Sequence, residues 1–188
     1  MTCRSPICRV GALAIAALCA ATAGAQAVPE TFTATATVKK GSARASAPVT
    51  VTVTRYSSDD ERGAVRKALK EGGTSSAQKV LAAMKDAGFI QLGEQRMPIK
   101  FAHALTTGSG RLLTVVTSGP LLHLGAGLPE SKPVAGYDVA VALLDVSSAG
   151  AGVGELAPAA KIGLDAAGAV LIEDYGATVV WLNELAKK

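Results

Sequence analysis

SSDDERGAVRKALKEGGTSSAQKVLAAMKDAG, Ser57 to Gly88, is the one sustained helical pattern beyond the N-terminus of this 188-residue chain. Ser58 and Glu61 have capping-box spacing, and Asp59, Asp60 and Glu61 suit the positive end of a helix dipole. Ala64, Val65, Ala68 and Leu69 share one face, while Arg62, Arg66, Lys67 and Lys70 project elsewhere. Gly72-Gly73 supplies a left-handed stop that residues with a Cβ resist. A second helix then follows the same plan. Ser75 and Gln78 form its capping box, Ala77, Val80, Leu81 and Met84 its apolar stripe, and Gly88 its end. Each helix is shorter than the roughly 12–15 residues needed for marginal helicity alone in water, so packing against a sheet must hold both.

Everything around this pair alternates with period two. Phe32, Ala34, Ala36 and Val38 oppose Thr31, Thr33, Thr35 and Thr37. After Lys40-Gly41-Ser42 the alternation resumes from Ala43 to Val53, with Thr50, Thr52 and Thr54 on the solvent face. This predicts two antiparallel strands, with Pro48 at an edge or a bend because it cannot donate to a ladder. Ile99, Phe101, His103 and Leu105 are expected on one face of the next strand. It turns at Thr106 to Gly110 into a partner over Arg111 to Thr117. Gly119-Pro120 ends that hairpin before the run Leu121 to Leu124, and Gly125 to Ala135 reads as the longest loop. Val139 to Leu144 is apolar on both faces, which predicts a strand covered on each side. Ser147 to Gly154 reads as a small-residue link, Lys161 to Asp165 and Val170 to Glu173 as a third hairpin, and Thr178 to Leu182 as a last strand, with a short helix as its alternative.

The predicted fold is therefore α+β. A single domain carries an antiparallel, twisted sheet of about six to eight strands, with a two-helix insertion packed on one face. A β-sandwich with a helical insertion is the alternative.

The N-terminus reads as a cleaved leader. Arg4 and Arg9 precede the short apolar run Val10 to Ala21, and Ala25-Gln26-Ala27 has small-x-small form, with cleavage expected after Ala27. The run is too short for a membrane span, which needs about 20 apolar residues. Leu18 ahead of Cys19 occupies the place where a lipoprotein site wants a small residue. Residues 1–27 are thus a signal peptide and 28–188 the domain, exported to the periplasm or beyond the cell. Removing the leader removes Cys3, Cys8 and Cys19, leaving no thiol for a disulfide, a metal or catalysis. It also lowers the formal charge from +4 to +2, so neither nucleic acid nor an anionic membrane is favoured as partner. At 4% aromatic residues, stacking platforms for bases or sugars are not expected.

Few residues point to chemistry. Ser76-Ala77-Gln78-Lys79 matches the Ser-x-x-Lys spacing in which a helix-opening serine passes its proton to lysine, as in penicillin-recognising enzymes. No Ser-Asp-Asn or Lys-Thr-Gly follows, and capping alone explains the serines. His103 and His123 are the two histidines, and zinc would need a third ligand such as Asp138, Glu155 or Asp174. His103, among apolar neighbours, reads as a core histidine bonded to backbone. Gly108-x-Gly110 and Gly125-x-Gly127 lack the remaining signatures of phosphate loops and read as turns. Glu173 and Asp174 alternate onto opposite faces of a strand end, and Lys39-Lys40 and Lys187-Lys188 read as solubilising doublets.

Gln95-Arg96-Met97-Pro98-Ile99-Lys100, Gly110-Arg111-Leu112, Leu124 to Pro129 and Gly154 to Lys161 together resemble a group of small exported bacterial proteins of unassigned function. The resemblance spans nearly the whole mature chain. It implies export and a single domain, and no activity, cofactor or catalytic residue.

The expected function is a non-enzymatic binding or interaction module for a protein or small ligand. Arg111, His123 and Lys132 are its candidate contacts around the Gly125 to Ala135 loop. A packing or structural component of the envelope is a further reading. The enzymatic alternative is a small hydrolase using Ser76 with Lys79, or a metal held by His103 and His123. Nothing in the sequence calls for a cofactor.

Overall fold

The computed structural model of the protein describes residues 29–40, 43–121, 135–166, 170–174 and 180–188. Its strands are β1 (Glu30–Lys40), β2 (Ala43–Val53), β3 (Gly88–Leu92), β4 (Gln95–Thr106), β5 (Gly110–Thr117), β6 (Val139–Ser147), β7 (Ala151–Leu164), β8 (Val170–Asp174) and β9 (Val180–Lys187). The helical element α1 (Asp59–Ala83) lies between β2 and β3.

All the pairings are antiparallel, and each of β1 to β7 joins the next along the chain. β9 then bonds β7 on one edge and β1 on the other, so eight strands close into a barrel. β8 stands outside the ring. It continues the edge that β9 occupies, pairing the far half of β7 from Ala160 to Leu164. This overturns both sequence expectations, the open α+β sheet with a two-helix insertion and the β-sandwich. Period-two alternation reports which side chains share a face. It carries no information on whether the first and last strands meet.

Two elements were hidden in the sequence. β3 is five residues long, directly behind the helical pattern. β7 begins inside the expected Ser147 to Gly154 link. Gly152 and Gly154 approach a neighbouring backbone that a side chain would strike: a Cβ on Gly152 would lie 1.9 Å from the Asp145 carbonyl oxygen. A bulge opposite Val139 to Val141 absorbs Pro158 and shifts the outward face from Ala157 to Ala160 and Ile162. Pro48 falls just beyond the last pairing of β2 with β3, where its missing N–H costs nothing.

Alternation sorts the strands into two apolar cores. Phe32, Val51, Leu113, Leu144, Leu156 and Leu182 point inward and fill the barrel. On the outer surface of β4 to β7, Val116, Val139, Val141, Ala160 and Ile162 pack against Ala68, Leu69, Ala77 and Leu81 of α1. The two-sided apolar run at Val139 to Leu144 is thereby explained. Its even positions face the barrel interior and its odd positions face the helix.

The helical element starts as its sequence predicts, with the Ser58 hydroxyl accepting from the Glu61 N–H and the Glu61 carboxylate accepting from the Ser58 N–H. It bends at Gly72 and Gly73, and Gly73 takes φ 63°, ψ −154°, a conformation open essentially to glycine alone. No second capping box forms there. Ser75 bonds the Asp138 carboxylate and Gln78 donates to the Ser118 carbonyl instead. The bend delivers Thr74 to β7, where its hydroxyl donates to the Ile162 carbonyl at 2.7 Å and accepts from the Ile162 N–H at 2.8 Å. β6 has already ended opposite Ala160, so this one side chain satisfies the backbone edge that β6 leaves open. Arg55 holds the other side of the element, bonding Glu61 near its start and the Lys85 and Asp86 carbonyls beyond its end. Among the described residues, no helix is long and apolar enough to cross a membrane.

Candidate functional site

Polar side chains gather at two places on this scaffold. The first closes one mouth of the barrel. Glu30 opens β1 and Arg111 is the second residue of β5, four strands away around the ring, so both enter the same end of the lumen from opposite walls. Arg111 grips Glu30 with both terminal nitrogens, Nη2 to Oε1 at 2.8 Å and Nη1 to Oε2 at 2.9 Å. Lys187 Nζ adds a contact of 2.7 Å to Oε1, and the Tyr56 hydroxyl donates to Oε2. Beneath them Arg111 lies 5.7 Å from the Phe32 ring centroid.

Glu30 is 3% exposed, and burial alone would raise its pKa. The hydrogen bonds from Arg111, Lys187 and Tyr56 outweigh that burial and hold it at about 2. Burial and the Glu30 charge together push the Tyr56 hydroxyl well above its ordinary range. A carboxylate with these partners has no spare capacity for a ligand. The cluster is a fixed plug.

The second place lies outside the barrel. A cleft of about 650 Å³ runs between α1, the outer faces of β4 to β7, and β8. Its floor is Phe101, Val116, Leu143 and Ile162, and Val65, Leu69 and Leu81 of α1 form a wall. Beyond the ring Ile172 lies directly opposite Ile162, and Val170 opposite Leu164, so β8 extends the same apolar surface. Val170 is 55% exposed and Ile172 37%, which leaves this part of the groove open to solvent.

Among the described residues, the polar groups of the cleft sit at one end. His103, Thr114 and Leu143 lie in register across β4, β5 and β6, and the helix N-terminus crosses above His103. Arg62 Nη1 donates to His103 Nε2 at 2.6 Å, and Nη2 of the same side chain pairs with Asp59. Arg66 follows one turn along the helix, exposed, and also lines the cleft. An accepting Nε2 requires the neutral imidazole with its proton on Nδ1. Burial lowers the His103 pKa, the Arg62 charge lowers it further, and Asp59 opposes them in part.

His103 is therefore not a core histidine bonded to backbone. A bulge between Ile99 and Phe101 reverses the alternation of β4, so Ile99 faces the barrel interior while Phe101 and His103 face the helix. That single bulge brings the imidazole into the cleft.

Of the other residues singled out in the sequence, Arg111 belongs to the barrel plug. His123, Lys132 and the loop from Gly125 as far as residue 134 lie outside the described residues, as do Ala25 and Ala27 with the rest of the expected leader. Ser76 is half-buried on α1 and Lys79 is exposed. Among the described residues no group of three potential metal ligands comes together. Sequence reasoning missed Arg62 and Arg66 as site residues. The available signal was two arginines four residues apart, bordering the stripe of Val65 and Leu69. No protein-family model, curated protein or solved structure matches the chain.

Proposed function

We propose that the protein is an exported, non-enzymatic binding module whose ligand site is the cleft between α1 and the barrel. The observation that carries this reading is the cleft itself. It has about 650 Å³, an apolar floor and polar groups confined to one end, which is the size and chemistry of small-molecule sites generally. Export rests on the leader pattern ending at Ala25-Gln26-Ala27 and on the resemblance to small exported bacterial proteins. The site needs no moving part in this reading, because the Thr74 and Arg55 contacts fix α1 against the barrel.

A neutral apolar fluorophore, N-phenyl-1-naphthylamine, tests the site. It gains emission on entering the wild-type cleft and loses that gain when Val65→Trp fills the wall. Equal emission from both proteins, with melting temperatures unchanged, removes the cleft as the binding site. For export, the protein recovered from the envelope begins at Val28 by intact mass. Material that retains Met1 counts against it.

A further inference from the structure

The rim of the cleft says more about its ligand than the floor does. Arg62, Arg66, Asp59 and His103 are the charged and titratable side chains that line it. Asp59 is taken up by Arg62, and the Arg62–His103 contact holds the imidazole neutral. Arg66 makes no ion pair among the described residues, so the rim carries one net positive charge. From there the groove runs over Phe101, Leu143 and Ile162 to Val170 and Ile172, and among the described residues that further half is lined by apolar side chains. The cation sits at one end and the unshielded apolar surface at the other.

Resting on the binding reading above, we infer that the ligand is a single-chain amphiphile with a carboxylate head, the head between Arg62 and Arg66 and the chain along the groove toward β8. Arginine suits this role because its planar fork meets a carboxylate with two parallel hydrogen bonds. Asp59 is 90% exposed, so its hold on Arg62 is weak and an incoming carboxylate can replace it at little cost. The chain, in turn, covers the exposed faces of Val170 and Ile172, apolar surface that otherwise stands in water.

The test compares dodecanoate with 1-dodecanol, two ligands of the same chain length with and without the charge. Binding is measured by calorimetry at pH 8, below the concentration at which either aggregates. Dodecanoate is expected to bind about fivefold more tightly, the upper range for a partly exposed charge pair. The Arg62→Gln/Arg66→Gln variant is expected to bind the two alike. Decanoate should bind more weakly than dodecanoate by about fourfold per methylene lost. Arg66→Gln alone replaces an exposed side chain, so it reports the same loss of preference if the double variant does not fold. Equal binding of acid and alcohol by the wild type overturns the carboxylate head and leaves the cleft a binding site. If neither ligand displaces N-phenyl-1-naphthylamine from the cleft, this inference falls and the reading beneath it stands; if the fluorophore does not enter the cleft either, both fall.

Discussion

The same strands carry two apolar cores, one on each face, and the two are finished differently. Inside the barrel, side chains from opposite walls meet across a closed ring and fill it, and Glu30 with Arg111 seals one mouth. Outside, a bent helical element lies on the curved surface of β4 to β7. Two convex bodies touch along a line, so space remains beside the contact, and β8 deepens it by extending the floor past the ring. Closure leaves little room for a ligand in the interior. A single helix over a curved wall leaves a groove. The contrast places structural charge inside and available charge outside.

The contrast can be broken most severely at the plug. Arg111→Ala leaves the buried Glu30 carboxylate with Lys187 and Tyr56 as its partners and is expected to cost about 3 kcal/mol, the low end for breaking a buried ion pair. Replacing the pair together, Glu30→Gln with Arg111→Met, should recover most of that loss. Denaturant midpoints for the single and paired variants check it. Equal destabilisation by both would mean the ion pair is not what seals the barrel.

The two cores should also differ under truncation. Leu144→Ala, fully buried inside the barrel, is expected to cost about 3 kcal/mol because it leaves a closed cavity. Leu69→Ala, on the cleft wall, merely widens space that already exists and should cost about 1.5 kcal/mol. Similar values from thermal unfolding would remove the distinction between a sealed and an open core. A change of comparable size is expected at the bend. Gly73→Ala forces a side chain into a glycine-only conformation at about 1–2 kcal/mol, and it should displace Thr74 from Ile162. Faster amide exchange at Ile162 would report that displacement.

Acid separates the two regions by pH. His103 has a lowered pKa in the folded protein, so below about 6.5 the unfolded chain takes up the proton first and stability declines. Glu30, held at about 2 against an ordinary 4.5, contributes stability that disappears only as pH falls from about 4.5 toward 2. His103→Gln should flatten the first decline and Glu30→Gln the second. A stability profile in which Glu30→Gln alters the higher window would contradict this assignment.

Much of the scaffold was legible from residue order. The β1–β2 pairing, the β4–β5 turn, the β7–β8 hairpin, the Ser58–Glu61 cap and the bend at Gly72-Gly73 follow from local alternation, turn residues and capping spacing. The candidate site was far less legible. Local alternation places His103 on the face of Ile99, whereas one residue of bulge between Ile99 and Phe101 inverts the positions after it. Arg111 reads as a candidate ligand contact in the sequence, whereas in the fold Glu30, 81 residues earlier, lies across the lumen and pairs with it. The start of β7 is obscured by Gly150, Gly152 and Gly154, which read as linker until the backbone of β6 is seen to lie against the last two.

The sequence by itself determined most of where the chain pleats and coils and, away from β3, the start of β7 and the bulge at Ile99 to Phe101, which side of a segment is apolar, because these depend on neighbours within a turn or two. Tertiary structure alone decided that β9 joins β1 to β7, that an acid and a base meet inside the ring, and that a helix over the curved wall leaves a cleft with a cation at one end. Those outcomes depend on contacts between residues far apart in the chain, which local periodicity does not encode.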